Sequence, residues 1–227
     1  VQLAGYINVA GGETKGGQLA GFLNVSLKDF EGVQISGMHN HSRGWVKGVQ
    51  IAPLNYAKKL KGVQLGVFNI VSDSISGVPI GLFTIAPKGY TRVQLEYSPT
   101  IIAKASFISG VKSFYNLVSI GYVEKDRYSI GYGIGSGISL GEYVGVNFQL
   151  SADQFTKDFR NNEIDLNTRF ASGLSLKLGK RFEIFGSYNL NLHAFKNGIS
   201  IGSDLYQSSS EGINYEGFQD WSVGIRI

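Results

Sequence analysis

A strict alternation of side chains in residues 128–140, YSIGYGIGSGISL, limits what this chain can fold into. One parity carries tyrosine, isoleucine and leucine with a single serine, whereas the other carries only glycine and serine. A period of two over thirteen residues is typical of a β-strand. The fold must therefore contain a long strand with one apolar face and one nearly bare face. The bare face consists of Ser129, Gly131, Gly133, Gly135, Gly137 and Ser139.

The same period recurs after Pro87, where we predict eight strands in all. Their predicted bounds are Arg92–Ser98, Ile101–Val111, Phe114–Glu124, Arg127–Gly141, Tyr143–Gln154, Ile164–Leu178, Phe182–Phe195 and Trp221–Ile227. No apolar run approaches the ~18 residues that a membrane helix needs, so any membrane span in this chain must consist of strands. Residues 92–227 are therefore predicted to form an eight-stranded antiparallel β-barrel.

Alternation alone does not say which face points outward, because a soluble barrel and an outer-membrane barrel are inverted versions of each other. Three observations favour the membrane. The thirteen-residue strand spans about 43 Å at ~3.3 Å per residue, which is enough to cross an apolar band ~25 Å tall. Short predicted turns, SGVKS, GE and GKR, lie at one end, and the long connections 151–163 and 196–220 lie at the other. The ending DWSVGIRI resembles the C-terminal strand signature of outer-membrane barrels.

The interior of an eight-stranded barrel is only wide enough to be filled by side chains. The polar parity of the predicted strands would fill it with paired charges and amides, and the bare strand would leave them room. This arrangement predicts a plugged barrel without an open pore. The predicted interior network comprises Glu96, Lys104, Asp165, Arg169, Lys177, Glu183, His193 and Arg226.

A different pattern organises residues 1–91, which repeat with a period of 14 to 16 residues, as in VQLAGYINVA and GQLAGFLNVS. Short β-rich repeats with recurring amides are typical of a β-solenoid in which side chains hydrogen-bond along ladders. The first predicted ladder comprises Gln2, Gln18, Gln34, Gln50 and Gln64. The second comprises Asn8, Asn24, Asn40, Asn55 and Asn69. We assign these amides a structural role.

These repeats, followed by GYGIGSGISL and GFQDWSVGIRI, resemble a Bacteroidota outer-membrane family in which surface-type repeats precede a small barrel. The resemblance covers essentially the whole chain. It implies an all-β fold, with a solenoid over 1–91 and a transmembrane barrel over 92–227, and a location in the bacterial outer membrane. Because such families mostly lack a known activity, the resemblance implies little about chemistry.

Metal binding has one weak candidate site, the pair His39 and His41 in MHNHS. Their i,i+2 spacing puts both imidazoles on one strand face, in columns that hold aliphatic residues in the sister repeats. Zinc normally takes three or four protein ligands, and no third ligand is evident nearby. The chain also has no cysteine, which excludes disulfides and thiolate metal sites. We therefore expect neither a metal nor a cofactor.

Catalysis has one candidate residue, His193, whose position is similar to that of the histidine in lipid A deacylases. Those eight-stranded barrels use a His-x-Ser pair near the last strands with a downstream acid, for which Glu211 or Glu216 would stand here. The second residue after His193 is Phe195, so the serine nucleophile is missing and acyl transfer by this route fails. We expect His193 to belong to the interior network.

The charge distribution gives little indication of nucleic-acid binding. Residues 1–92 carry nine basic and four acidic side chains, and their only basic cluster is Lys58, Lys59 and Lys61. The leading hypothesis is a non-enzymatic outer-membrane barrel that anchors a repeat surface for protein docking or scaffolding, as an accessory subunit of an envelope complex. Its expected partners are outer-membrane lipids and other envelope proteins. The alternatives are a lipid A or phospholipid hydrolase that uses His193, and a ligand-binding or adhesin module that uses loops 151–163 and 196–220.

Overall fold

The computed structural model describes residues 1–124, 126–157, 164–179, 182–196, 200–201 and 205–227. These residues form nineteen β-strands in two sheets, and none of them belongs to a helix long and apolar enough to cross a membrane. The chain divides into two compact units. The repeat unit comprises residues 1–91 and 109–116, and the barrel unit comprises residues 92–108 and 117–227. The predicted fold class, a short-repeat solenoid followed by a closed eight-stranded antiparallel barrel, is confirmed.

The repeat unit is a parallel β-solenoid of about five turns. Its strands are β1 (Gln2–Ala4), β2 (Ile7–Ala10), β3 (Thr14–Ala20), β4 (Leu23–Ser26), β5 (Phe30–Ser36), β6 (His39–Ile51), β7 (Leu54–Leu65), β8 (Phe68–Ile75), β9 (Val78–Ile80) and β10 (Phe83–Ile85). Each residue pairs with its equivalent in the next coil, as in Gln18 with Gln34 and Asn24 with Asn40. The sequence repeat is therefore also the structural repeat.

Each coil turns at two edges that differ in chemistry. One turn lies between the glutamine and the asparagine, and we call it the apolar edge, because its outward side chains are mostly aliphatic or aromatic. The other turn contains every Lys, Arg, Asp and Glu of residues 1–91, and we call it the charged edge. The apolar edge consists of residues 3–9, 19–25, 35–41, 51–56, 65–70 and 80–85. The charged edge consists of residues 11–16, 27–32, 43–48, 58–62, 72–77 and 87–89.

The interior of the coils also has two parts. Behind the charged edge it is a hydrophobic core built from Phe30, Val46, Leu60 and Val71 with smaller alanines. Behind the apolar edge it contains the buried glutamines and asparagines with small residues between them. At the last coil, segment 109–116 packs on the stack, where Asn116 donates to the Pro79 carbonyl at 3.0 Å.

The barrel strands are β11 (Tyr90–Tyr97), β12 (Ala103–Val111), β13 (Phe114–Tyr122), β14 (Tyr128–Leu140), β15 (Val144–Thr156), β16 (Asp165–Leu178), β17 (Phe182–Phe195) and β19 (Ile213–Arg226). Neighbours in this order are hydrogen-bonded, and β11 pairs with β19 to close the barrel. The closing register places Gln94 opposite Arg226 and Tyr97 opposite Val223. Closure removes the free sheet edges, which in a nonpolar solvent would leave backbone groups unpaired.

The predicted loop 196–220 is wrong in its second half. A short strand, β18 (Tyr206–Ser210), pairs with β19, which begins eight residues before the predicted start at Trp221. Glu211 and Gly212 join the two strands, and both have positive φ values, 53° and 76°, as a tight hairpin turn requires. The prediction failed because the serine- and glycine-rich composition of this segment is typical of a loop.

The predicted loop 151–163 is also shorter than expected, because β15 continues to Thr156. Residues 158–163 lie outside the described residues, as do 197–199 and 202–204 of the other predicted loop. The described part of both segments is therefore largely strand and hairpin.

Candidate functional site

The candidate site is the interior of the barrel, and its shape follows from the bare face of β14. Ser129, Gly131, Gly133, Gly135 and Gly137 are buried there, whereas Ser139 at the strand end is exposed. A Cβ atom at Gly131 would lie 2.1 Å from the Asp153 carboxylate, which itself lies across from Gly131 on β15. The missing side chains of β14 therefore provide the space that the charged side chains of other strands occupy.

Two ion pairs form the middle of the interior. Lys104 Nζ lies 2.7 Å from Asp153 Oδ2, and Arg169 Nη1 lies 2.5 Å from Glu96 Oε1. All four residues are buried, and Gln94 also donates to Glu96 at 2.7 Å. A buried charge is costly unless a counter-charge and further hydrogen bonds satisfy it, and this network supplies both.

A third ion pair lies near the ends of β17 and β19. Arg226 Nη1 lies 3.0 Å from Glu183 Oε1, and Arg226 Nε donates to Gln94 Oε1 at 2.7 Å. Lys177 stands opposite Glu183 in the β16–β17 register, but it is half-exposed and donates to Ser139 Oγ at 3.4 Å. Lys177 therefore lies at the rim of the interior, and Arg226 lies within it.

His193 lies between two carboxylates contributed by the neighbouring strands β16 and β19. Its Nε2 is 2.5 Å from Asp165 Oδ1, and its Nδ1 is 2.8 Å from Glu216 Oε1. Arg127 Nη1 reaches the second oxygen of Asp165 at 3.4 Å. The ring is fully buried and stacks on Phe195 at a centroid distance of 4.8 Å. Each ring nitrogen of His193 therefore lies within hydrogen-bonding distance of a carboxylate oxygen.

This arrangement limits the chemistry that His193 can perform. A general base needs a ring nitrogen that can accept the proton of a nucleophile, and both nitrogens of His193 already bond to Asp165 and Glu216. The nearby Ser200 hydroxyl donates to Glu216 Oε2 at 2.6 Å. The site therefore has the contacts of a structural ion-pair network, and Glu216 acts in it as an acceptor.

The predicted interior network lacks Asp153, Arg127 and Asp220, which belong to it in the structure. Asp153 lies on the buried parity of β15 with Asn147 and Gln149, so its alternation was a usable signal. Asp220 accepts hydrogen bonds from Asn189 Nδ2 at 2.8 Å and from Thr100 Oγ1 at 2.5 Å. It was missed because it fell within the predicted loop 196–220.

The amide columns of the repeat unit form two continuous chains of side-chain hydrogen bonds. Glutamine Nε2 to Oε1 distances between successive coils are 2.5, 2.6, 2.6 and 2.7 Å. Asparagine Nδ2 to Oδ1 distances are 2.9, 2.9, 3.1 and 3.0 Å. Each of these asparagines also donates to a main-chain carbonyl, as Asn24 does to Ile35 at 2.8 Å. The amides therefore bond to one another from coil to coil inside the stack, and the glutamine ladder ends at Gln64, whose Oε1 has no partner among the described residues.

His39 and His41 lie on the apolar edge, with ring centroids 5.6 Å apart, and His41 stacks on Tyr56 at 4.5 Å. In the described part of the chain, no group of three or more His, Asp or Glu side chains is placed to hold a metal ion. Burial lowers the pKa of both imidazoles, and for His41 the charges of His39 and Arg43 lower it further. Both rings are therefore neutral at pH 7.

The chain matches no family model, no curated protein and no solved structure at a significant level. The resemblance to the Bacteroidota outer-membrane family therefore stays a prediction.

We expect Lys104→Ala to destabilise the barrel strongly, because it leaves the Asp153 carboxylate buried without its cation. Breaking a buried ion pair in this way costs about 3–5 kcal/mol. The measurement is the urea concentration at which half of the barrel is unfolded, read from the mobility of unboiled samples on gels. Lys177→Ala is the matched control, because Lys177 is half-exposed at the rim. Equal midpoints for the two variants would contradict the assignment.

The neutral histidines predict a pH dependence of the repeat unit. Because burial holds the folded-state pKa of both imidazoles below the value of about 6.5 that histidine has in an unfolded chain, the unfolded chain binds more protons, and stability is lost as the pH falls below that value. The denaturation midpoint should drop between pH 7 and pH 5 when Trp45 fluorescence is followed in a Trp221→Phe background. A double variant, His39→Leu with His41→Val, copies the preceding coil and should show a flatter profile. An equally steep profile in that variant would assign the effect to other groups.

Proposed function

We propose that this chain is a non-enzymatic outer-membrane protein whose filled barrel anchors the repeat unit as a docking surface for other envelope proteins. In this role it acts as an accessory subunit of an envelope complex. The observation that carries the proposal is the inverted polarity of the barrel, which has charges inside and apolar side chains outside. The resemblance to Bacteroidota outer-membrane proteins with surface-type repeats supports the same location.

The outward side chains of the barrel support its placement in lipid. On β16 and β17 the exposed positions are mostly leucine, isoleucine and phenylalanine, whereas the alternate positions are mostly buried and polar or small, with Phe185 and Phe195 as the buried aromatic exceptions. Water would favour the reverse arrangement, since burying charges and exposing apolar surface both cost free energy. A membrane barrel needs this inversion on every strand. Large exposed outward residues include Leu150, Leu166, Phe170, Leu174, Leu176, Leu190, Leu192, Trp221 and Val223.

The filled interior supports an anchoring role. Ion pairs and amides occupy the barrel interior along the length of β19, from Glu216 near its start to Arg226 at its end. Both ring nitrogens of His193 bond to carboxylates of this network. An anchor requires a stable, satisfied interior, which is what these contacts provide. The charged edge of the repeat unit, with Lys58, Lys59 and Lys61, is the surface that we assign to docking, because extended solenoid flanks commonly bind other proteins.

The membrane location is tested by fractionation and by gel mobility. We expect the protein to sediment with outer membranes, to need detergent for extraction, and to migrate differently before and after boiling, because closed barrels resist unfolding. Recovery as a soluble monomer without detergent would reverse the assignment of the apolar face to lipid.

The docking role is tested in the full-length protein by site-specific photo-crosslinking in cells. Photo-reactive residues at Lys47 and Lys61 on the charged edge should give protein adducts, whereas one at Leu174 on the barrel exterior serves as the lipid-facing control. Adducts that arise only from the hairpin 206–220 would move the docking surface to the barrel unit, as the adhesin alternative requires. Turnover of lipid A or phospholipid that disappears in His193→Ala would contradict the non-enzymatic assignment.

A further inference from the structure

The apolar edge of the repeat unit has the same inverted polarity as the barrel. Around the turns of this edge, the side chains that point into the coil are mostly glutamine, asparagine, alanine or serine, with Pro79 and Thr84 at the equivalent positions of the last coil. The side chains that point outward are mostly large and apolar. Outward positions that are more than a third exposed include Leu3, Tyr6, Ile7, Val9, Leu19, Phe22, Ile35, Met38, Leu65, Val67, Phe68, Leu82, Phe83 and Ile85. A water-exposed solenoid would have the opposite distribution.

The buried amides behind this edge find their hydrogen-bond partners mainly within the protein. Gln18, Gln34 and Gln50 are buried, and each bonds to the glutamines of the coils on both sides. The parallel backbone ladders pair the successive coils through the same region. In a hydrocarbon environment polar groups must find their partners within the protein, and the amide ladders and backbone ladders supply most of them at this edge. Among the described residues, Ser36 Oγ, Gln64 Oε1 and Thr84 Oγ1 are buried there without a partner.

The charges of the unit are separated from this edge completely. All twelve Lys, Arg, Asp and Glu residues of positions 1–91 lie on the charged edge, which also covers the hydrophobic core of Phe30, Val46 and Leu60. The charged edge therefore has the polarity of a soluble protein, and the apolar edge has that of a membrane protein. The cross-section of each coil is consequently divided between two solvents.

We propose that the apolar edge of the repeat unit inserts among the acyl chains of one membrane leaflet, while the charged edge stays in water. The proposal rests on the membrane location given under the proposed function. About three residues lie on each side of the turn, which reach about 10 Å at ~3.3 Å per residue. One leaflet contributes about half of a hydrocarbon core ~30 Å thick, so this depth fits within a single leaflet.

A lipid surface explains the apolar edge better than a protein partner does. Six rungs spaced ~4.8 Å apart give a surface about 24 Å long, and its outward columns contain no charged side chain. Protein interfaces keep a polar rim and about ten direct hydrogen bonds, for which this edge offers few groups. His39 and His41 are its most polar outward side chains, and His41 is covered by the ring of Tyr56.

The absence of cysteine from the chain allows a direct test with single spin labels in the full-length protein. Labels at Phe22→Cys and Val67→Cys report on the apolar edge, and labels at Lys28→Cys and Lys61→Cys report on the charged edge. A label at Leu174→Cys is the reference for the barrel exterior. The protein is reconstituted in vesicles of phosphatidylethanolamine and phosphatidylglycerol, and collisions with oxygen and with a water-soluble nickel chelate are measured.

We expect loss of nickel collisions and gain of oxygen collisions at positions 22 and 67, as at position 174, and the reverse at positions 28 and 61. Nickel access at 22 and 67 with a lipid-exposed label at 174 would overturn this inference and leave the proposed membrane location intact. Nickel access at 174 would overturn the membrane location itself. Labels at 22 and 67 that are shielded from both reagents would also overturn the inference, because protein would then cover the edge, and spin–spin broadening would identify a second copy as the cover. Leu82→Cys provides a further apolar-edge site if either variant lacks the gel mobility of the folded barrel.

Discussion

Gly133→Leu is expected to abolish folding of the barrel, so that the unboiled and boiled protein run alike on gels. The Cβ atom of any larger residue at this position would lie 2.6 Å from the Leu150 carbonyl oxygen and 2.8 Å from Ser151 Cβ. The remaining leucine atoms would enter the interior that the Lys104–Asp153 pair already occupies. Overpacking of a filled core typically costs about 1–3 kcal/mol, and a clash with backbone atoms adds to that.

Ser136→Leu is the matched control, because Ser136 lies on the outward face of the same strand. An added leucine there meets the apolar surroundings, and the variant should keep the heat-modifiable form. A Gly133→Leu protein with normal heat-modifiability would show that the glycine face of β14 does not point into a filled interior.

The second large effect is expected for Gly48→Ala, which should disrupt the stacking of the repeat unit. Gly48 has a φ value of 142°, a conformation that residues with a side chain rarely adopt. An added Cβ would also lie 2.0 Å from the carbonyl oxygen of Gly32 in the preceding coil. Because the φ value and the close contact both involve the backbone, neither obstacle can be relieved by a side-chain rotation. We expect rapid proteolysis of the repeat unit in the variant under conditions in which the wild-type unit is resistant.

Gly17→Val is the control for this variant. A Cβ at Gly17 would have only ordinary contacts, the nearest at 3.9 Å, and the equivalent positions in later coils are Val33 and Val49. The control should be as resistant to protease as the wild type. If Gly48→Ala were as resistant to protease as the wild type, the coils could separate at the position of Gly48 without loss of structure.

The two folds were predictable because each follows from a local period. The alternation of residues 128–140 requires a strand, and the recurrence of Gln and Asn every 14 to 16 residues requires stacked coils. A period also fixes the face on which each side chain lies, so the buried parity that contains Glu96 and Arg169 could be predicted from the sequence.

The partners of the charges could not be predicted in the same way. Lys104 pairs with Asp153 and Arg169 pairs with Glu96, and these residues meet only because the barrel closes across its interior. No local pattern encodes a contact between residues 49 or 73 positions apart. The β18–β19 hairpin was missed for another reason, since its pairing with β17 overrides a serine- and glycine-rich composition that is typical of a loop.

The residue-on-residue register of the solenoid has a consequence for how such a chain can change length during evolution. Each glutamine and asparagine stacks on its equivalent although the number of residues per coil varies from 14 to 16. The β6–β7 pairing shifts register between Ser42 and Trp45, and the β7–β8 pairing shifts register between Ala57 and Lys59. These irregularities lie at or beside the charged edge, so single-residue insertions are tolerated there and the ladders stay intact. A duplicated coil would add one rung to every ladder and leave the others unchanged. In the barrel a single inserted residue would turn every later side chain of its strand to the wrong face. Relatives of this chain should therefore differ by whole coils in the first unit and keep their strand lengths in the second.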